Sequence, residues 1–287
     1  MNLISPLKPL LIVAALALVP LAGRADAATL LYDFNTAGSL TSDFNLLNDT
    51  NHFWSQATAS GLGNSGNLAI ASSGTANPLT SAAIAKQGFS ASETTFTLSV
   101  FFQVREVESA GHQWMIGILP TATTAPSVKP AEATIQLAVG LNKGSSGYRW
   151  VEYNNTSISG KNASDPSGFF QLTNGEWYYM EATFAHDGGN WTIDYAVHAA
   201  NADGTLPPLS LISGTTGTFT NADVAAGSEL FPFLAMPNSP GGRMIDRFDN
   251  FSVPAIPEPG VLQGFAAGVL LLFGLRGWKR RLHPARS

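Results

Sequence analysis

The fold is decided by Glu176-Trp177-Tyr178-Tyr179-Met180-Glu181-Ala182-Thr183-Phe184-Ala185-His186-Asp187, followed by Gly188-Gly189 and then Asn190-Trp191-Thr192-Ile193-Asp194-Tyr195-Ala196-Val197-His198-Ala199-Ala200. Two long alternating runs meet at a Gly-Gly pair, which supplies the positive φ that a two-residue hairpin loop demands. With those glycines as the loop, one face sets Phe184 against Ile193, Ala182 against Tyr195, Met180 against Val197 and Tyr178 against Ala199, all apolar or small. The other face sets Thr183 against Asp194, Glu181 against Ala196 and Tyr179 against His198. It is mostly polar, as an antiparallel sheet with one solvated face requires. A slip of one residue would invert both faces at once, so the pattern fixes the register.

Outward from the hairpin the same period of two recurs. Phe96, Leu98, Val100, Phe102 and Val104 alternate with Thr97, Ser99, Phe101, Gln103 and Arg105, the mark of a half-buried strand. Ala133, Ile135, Leu137, Val139 and Leu141 repeat it, as do Trp114, Ile116 and Ile118, and Leu30, Tyr32 and Phe34. Between the leader and the tail no segment sustains a capped helical stripe, and clusters of Gly, Asn, Ser and Thr punctuate the strands. The chain between its ends is therefore all-β.

The two ends have a different character. Met1 to Ala27 places Lys8 before an apolar stretch from Leu10 to Leu21 and closes on Ala25-Asp26-Ala27, an A-x-A site. This pattern predicts a signal-peptide helix over 1–27, cleaved after Ala27, with an uncleaved anchor as the alternative. At the far end, Val261 to Leu275 is fifteen residues without a charge. As a helix it would be about 22 Å long, against a bilayer core of about 30 Å. It can span as a single transmembrane helix only with local thinning or with Arg276, Lys279 and Arg280 snorkelling to the headgroups. Arg276, Lys279, Arg280 and Arg281 follow the apolar run, so the positive-inside rule puts residues 276–287 in the cytoplasm and everything upstream outside.

Pro257-Glu258-Pro259, the short apolar helix and the Arg-rich end resemble, in order and spacing, the PEP-CTERM sorting signal of Gram-negative bacteria that make exopolysaccharide. The resemblance covers Pro257 to Arg281. It implies that the helix holds the protein in the inner membrane transiently, until an exosortase, a membrane-embedded cysteine protease, cuts at the Pro-Glu-Pro motif and releases the passenger to the cell surface or matrix. It implies no activity for the passenger. The expected organisation is thus signal peptide 1–27, β-sandwich passenger 28–253, Pro-rich linker 254–260, transmembrane helix 261–275 and basic cytoplasmic tail 276–287.

Within residues 28–256, eight basic residues face eighteen acidic ones, a formal charge of −10. That balance argues against nucleic acid or an anionic membrane surface as partner. The absence of cysteine excludes a disulfide framework, so a packed core must hold an exported fold together. The long antiparallel strands, the hairpin, the opening Leu30-Leu31-Tyr32-Asp33-Phe34-Asn35 and the closing Asp246-Arg247-Phe248-Asp249-Asn250-Phe251-Ser252-Val253 resemble a concanavalin A-like jelly roll of the LamG or legume-lectin type. The fold implied is an antiparallel jelly-roll β-sandwich; a different β-sandwich is the alternative.

Catalytic motifs are missing. His-Glu-x-x-His, G-x-S-x-G and S-x-x-K do not occur, the histidines are scattered at 52, 112, 186, 198 and 283, and Gly160-Lys161 lacks the rest of a P-loop. The Glu-x-Asp-x-x-Glu strand of laminarinase-like jelly rolls is absent. Glu176 and Glu181 lie five apart on a strand and face opposite ways, and Glu106 and Glu108 stand at a strand end. Asp246, Asp249 and Asn250 offer oxygen ligands of the kind Ca2+ accepts, yet Arg247 lies among them. No catalytic residue, metal or other cofactor is assigned, and Ca2+ at those three residues is the single candidate.

Aromatic residues carry what remains. Tyr148, Trp150 and Glu152 share one strand face, where the rings are expected to fill the core against a second sheet. Trp177, Tyr179, Glu181 and Thr183 share a face with Asp194 and His198 across from them, opposite the apolar side of the hairpin. This combination of rings and short polar groups is the candidate glycan-binding surface. The sequence therefore points to an exported, exosortase-processed, non-catalytic protein that is structural or binds extracellular polysaccharide; a glycan-active hydrolase or lyase of the same fold is the alternative.

Overall fold

The hairpin forms in the register that the alternation predicts. Strand β13 (Trp177–Asp187) pairs with β14 (Asn190–Ala200), setting Phe184 opposite Ile193, Met180 opposite Val197 and Tyr179 opposite His198. Gly189 takes φ 99° at the turn. The computed structural model describes residues 29–254 apart from 48–51, 74–80, 91–94, 108–112, 123–136, 154–157, 161–168, 188, 217, 221–228 and 237–242. The expected signal peptide, with Ala25 and Ala27, and the tail with Pro257, Glu258, Pro259, the 261–275 helix and the basic cluster lie outside the described residues, as does Glu108. No helix among the described residues is long and apolar enough to cross a membrane. The described residues belong to one compact unit, Thr29–Ala255.

Two antiparallel sheets make a sandwich, as expected. Sheet A contains β1 (Thr29–Tyr32), β3 (His52–Ala57), β4 (Asn67–Ser73), β7 (Thr95–Val107), β13, β14, β15 (Ser210–Thr215), β16 (Phe219–Thr220) and β18 (Arg243–Pro254). Its order is β15-β14-β13-β7-β18-β4-β3, with β1 on β18 and β16 on β14. Sheet B contains β2 (Phe44–Leu47), β5 (Ser81–Ala85), β6 (Phe89–Ser90), β8 (Gln113–Leu119), β9 (Leu137–Gly144), β10 (Gly147–Tyr153), β11 (Ile158–Gly160), β12 (Phe169–Phe170) and β17 (Glu229–Met236). Its order is β11-β10-β9-β8-β17-β5-β2. The chain crosses repeatedly between the sheets, and the last strand, β18, lies at the centre of sheet A between β7 and β4.

The core is aromatic. Trp114 of sheet B sits 4.4 Å from Phe102 and 5.5 Å from Phe248 of sheet A, ring centre to ring centre. Trp150 lies flat on Tyr195 at 3.7 Å and 12°, which bolts β10 to β14 across the interior. Rings of this size bury large apolar areas, enough to dominate a core that has no disulfide.

Two local features depart from the alternation. Phe34 does not continue β1: its backbone turns left-handed at φ 54°, and the chain leads into the short helix α1 (Ser39–Asp43), while the ring stays buried 5.9 Å from Phe44. The outer side of sheet B is also not solvated. Ala82, Ile84, Met115, Phe233 and Ala235 point away from sheet A yet are 0 to 2% exposed, with Leu47, Ala122 and Phe231 packed against them. Both faces of sheet B are buried, and Ser81–Ala85 accordingly reads as a continuous buried run.

Candidate functional site

Sheet A presents its polar face outward. On β13 the residues Trp177, Tyr179, Glu181 and Thr183 alternate with the buried Tyr178, Met180, Ala182 and Phe184. The neighbouring β7 places Phe101 beside Tyr179, Ser99 beside Glu181 and Thr97 beside Thr183, and β14 places His198 and Asp194 on the other flank. The structure therefore brings Tyr179, Glu181, Thr183, Asp194 and His198 together on one face, as the sequence predicts.

At its centre is a row of rings. Tyr179 lies 4.9 Å from Phe101 and 6.4 Å from His198. The Tyr179 hydroxyl donates to a Glu181 carboxylate oxygen at 3.4 Å. Burial pushes that hydroxyl above the ordinary tyrosine value; a hydrogen bond from Ser99 pulls it down, and the Glu181 charge raises it again. Tyr179 is thus a neutral donor at physiological pH, half-buried and held beside a carboxylate. Around it, Thr97 and Thr183 share a hydroxyl–hydroxyl bond of 2.8 Å, and Thr215 donates to the exposed Asp194 carboxylate.

Trp177 is a correction. Its ring is expected on the exposed face, yet it is only 9% exposed. Its cross-strand neighbours are Gln103 of β7, equally buried, and Ala200 of β14. A side chain on Gly204 would meet Leu62 at 3.1 Å and Phe101 at 3.9 Å, so the 58–66 and 201–205 loops come together beside Phe101. Beside Trp177, Gln103 donates to the Gly175 carbonyl at 2.6 Å and closes the gap before β13. Phe101, which the sequence reading leaves unassigned, takes the place of Trp177 beside Tyr179; its signal is the polar phase of the Phe96–Arg105 alternation. Tyr148 and Trp150 fill the core as expected, and burial together with the nearby Glu152 pushes the Tyr195 hydroxyl up.

The candidate Ca2+ residues form a different kind of site. Asp249 is fully buried, and its Oδ2 accepts from the backbone N–H of Leu62 at 2.9 Å and from the Ser65 hydroxyl. Its Oδ1 accepts from Asn250 N–H at 2.7 Å, and Asn250 adopts φ 50°. Arg247 donates to the Ser60 carbonyl at 2.9 Å. These two residues staple the 58–66 loop to the middle of sheet A, and the Asp249 oxygens are engaged by that loop. A side chain at Gly61 would run into the Gly66 carbonyl and the Asp249 carboxylate, so glycine is what lets the loop close. Among the described residues no group of three or more His, Asp or Glu side chains is placed to hold a metal. The side chain of Asp246 lies outside the description; its backbone pairs with Ile70 and Val104.

A concavity lies at the end of β1. A hollow of about 400 Å³ is lined by Asp33, Thr36, Ser39, Ser42 and Asp43 together with the exposed Leu31. Asp33 already accepts from the Asn35 backbone and side chain, and Asp43 helps raise the buried Tyr32 hydroxyl to about 12, after burial itself. No local pattern in the sequence signals this hollow, since only folding brings 33 and 43 together.

No family model matches the chain, and no curated protein matches it. Solved structures do. Cellulose induced protein Cip1 superposes with a TM-score of 0.50 at 14% identity, covering 79% of this chain and 96% of that one. The likeness is one of fold. Lectin II from Ulex europaeus aligns over 81% of this chain and all of its own at 12% identity and a TM-score of 0.47, and peanut lectin over 79% and 98% at 12% and 0.45.

Proposed function

We propose that this is an exported, non-catalytic surface or extracellular-matrix protein whose concanavalin A-like jelly roll binds polysaccharide on the outer face of sheet A. The observation that carries the reading is the Tyr179–His198 row, bordered by Phe101 where the loops close in and flanked by Glu181, Thr183 and Asp194. Sugar rings offer flat C–H faces that stack on aromatic rings, while their hydroxyls need donors and acceptors beside the ring. The row supplies both, with the Tyr179 hydroxyl and the Glu181 carboxylate side by side. A face of this shallow kind binds at micromolar to millimolar dissociation constants, about 4 to 8 kcal/mol.

The test is a polysaccharide pull-down and glycan array with the Thr29–Ala255 unit. Tyr179→Ala is expected to weaken retention at least about tenfold while leaving the melting transition close to wild type. If wild type retains no matrix glycan, or Tyr179→Ala binds equally well, the face is not a sugar site and a structural role remains. Glu181 and Asp194, diagonal neighbours across β13 and β14, are the one observation that favours a glycan hydrolase instead. Release of new reducing ends by wild type but not by Glu181→Gln would establish that alternative.

Export and release complete the proposal. The 1–27 leader directs secretion, the 261–275 helix holds the chain transiently in the inner membrane, and an exosortase cuts at Pro257-Glu258-Pro259. Intact-mass measurement of the protein recovered from its native host should give a chain beginning near Ala28 and lacking Phe273 and Arg280. A recovered species that retains those residues would make the tail a plain anchor.

A further inference from the structure

Among the large apolar side chains exposed in the described residues, Leu206 (39%), Leu209 (80%) and Leu211 (42%) lie within a few positions of one another. They sit on and just before β15, the edge strand of sheet A. From Gly204 to Thr220 the chain carries no charged residue at all. Open edges are ordinarily guarded by lysine, by proline within the strand or by a covering segment, because their free N–H and C=O groups template pairing with another strand.

The other end of the same sheet shows such a guard. There the Gln56 side chain of β3 donates to the carbonyls of Phe34 and Thr36 at 2.7 Å and accepts from Leu40 N–H at 3.2 Å, tying residues 34–40 along the edge. Strand β15 has no equivalent among the described residues. Pro207 and Pro208 stand before it, not in it. Thr216 N–H donates to the Ile193 carbonyl at 2.9 Å, which fixes the phase of the β14–β15 ladder. In an antiparallel ladder the direction alternates, so Ser213 and Thr215 turn their N–H and C=O groups to the open side.

We propose that β15 is a self-association edge, at which two copies of this chain pair β15 with β15 in antiparallel fashion and cover Leu209 and Leu211 in the contact. Charge selects a second copy at this place. Residues 28–256 carry a formal charge of −10, so most surfaces of two copies repel, whereas the stretch from Gly204 to Thr220 meets its own copy without a like charge. Antiparallel pairing of a strand with itself is a closed two-fold contact that needs no other partner and leaves no open edge. The joined A sheets would set two Tyr179 rows on one continuous surface. Two weak sites would then act on one long glycan, although the pairing itself does not depend on sugar binding.

Sedimentation velocity of the Thr29–Ala255 unit, which carries both sheets and the core between them, tests the contact. The mass of wild type is expected to double between about 1 µM and about 500 µM and to keep doing so in about 0.5 M NaCl, because the contact is uncharged. The double variant Leu209→Lys/Leu211→Lys should associate at least about 100-fold more weakly, since two copies would then bring ammonium groups into an uncharged contact. Its melting transition should stay near wild type, because both side chains are exposed. Ser213→Pro, which removes an N–H turned to the open side, should weaken association without adding charge. Wild type that stays monomeric at the highest concentration overturns the proposal, and so does a lysine variant that still folds and associates as tightly as wild type.

Discussion

Phe184→Ala is expected to lower the stability of the sandwich by about 3 to 5 kcal/mol, and Thr183→Ala, one residue earlier, by well under about 1 kcal/mol. Phe184 is fully buried on the inner face of β13. Its ring stacks on Phe96 at 5.1 Å and 10°, and Phe96 in turn meets Phe89 at 4.7 Å and Trp191 at 6.0 Å, both edge-on. Alanine would leave a ring-sized void beside Phe96, which Phe89 and Trp191 hold in place from two other strands, so the site cannot collapse cheaply. Thr183 faces the other way and loses one hydroxyl bond of 2.8 Å, to Thr97, on a half-buried surface where water can replace it. Urea unfolding of the two variants checks this directly. Equal losses would mean that the faces of β13 are assigned the wrong way round.

That contrast also marks what could be read before folding. Alternation along a strand and the Gly188-Gly189 turn are local signals, and they were sufficient to place Tyr178, Met180, Ala182 and Phe184 inside and Tyr179, Glu181 and Thr183 outside. Trp150 was legible for the same reason, because its strand needed a second sheet to bury it, and Tyr195 supplies the partner. Local alternation says which face a residue takes; it does not say what lies above that face. Trp177 has the outward phase yet is buried, beside the equally buried Gln103 of β7. Phe101 was visible in the pattern as an outward ring, but only the β7–β13 register sets it beside Tyr179.

Asp249 failed to be read for a related reason. A carboxylate beside an asparagine in a terminal strand offers the right atoms for Ca2+, and nothing in its neighbours announces that Leu62 and Ser65 will claim them. The signal that could have found this pairing is the run Gly61-Leu62-Gly63-Asn64-Ser65-Gly66, whose spaced glycines permit a tight loop to lay its N–H and hydroxyl donors against an acceptor. The polar and the charged residues of the outer face thus have two separate jobs. Toward β14 Asp194 stays exposed and bonded to Thr215 at the surface, and toward β18 Arg247 and Asp249 hold a loop in place.

Removing that staple should be costly and should depend on pH in a defined direction. Asp249→Ala leaves the Leu62 N–H and the Ser65 hydroxyl without their acceptor beneath the loop, and a loss of about 2 to 4 kcal/mol is expected. The carboxyl itself is held above its ordinary value: desolvation raises it most, the bonds from Ser65, Leu62 and Asn250 lower it, and the Asp33 charge adds a further rise. A carboxyl raised in the folded state binds its proton more tightly there than in the unfolded chain. The stability it contributes through titration is therefore fully present below the unfolded value and is lost as pH climbs through the folded one. Asp249→Asn keeps the shape and one acceptor oxygen but cannot titrate. The destabilisation of the asparagine variant relative to wild type should accordingly be largest in acid and shrink toward neutral pH, when urea unfolding is followed between about pH 3 and pH 7. A gap that widens toward neutral pH would mean that the three donors outweigh burial and that the loop binds the charged form of Asp249.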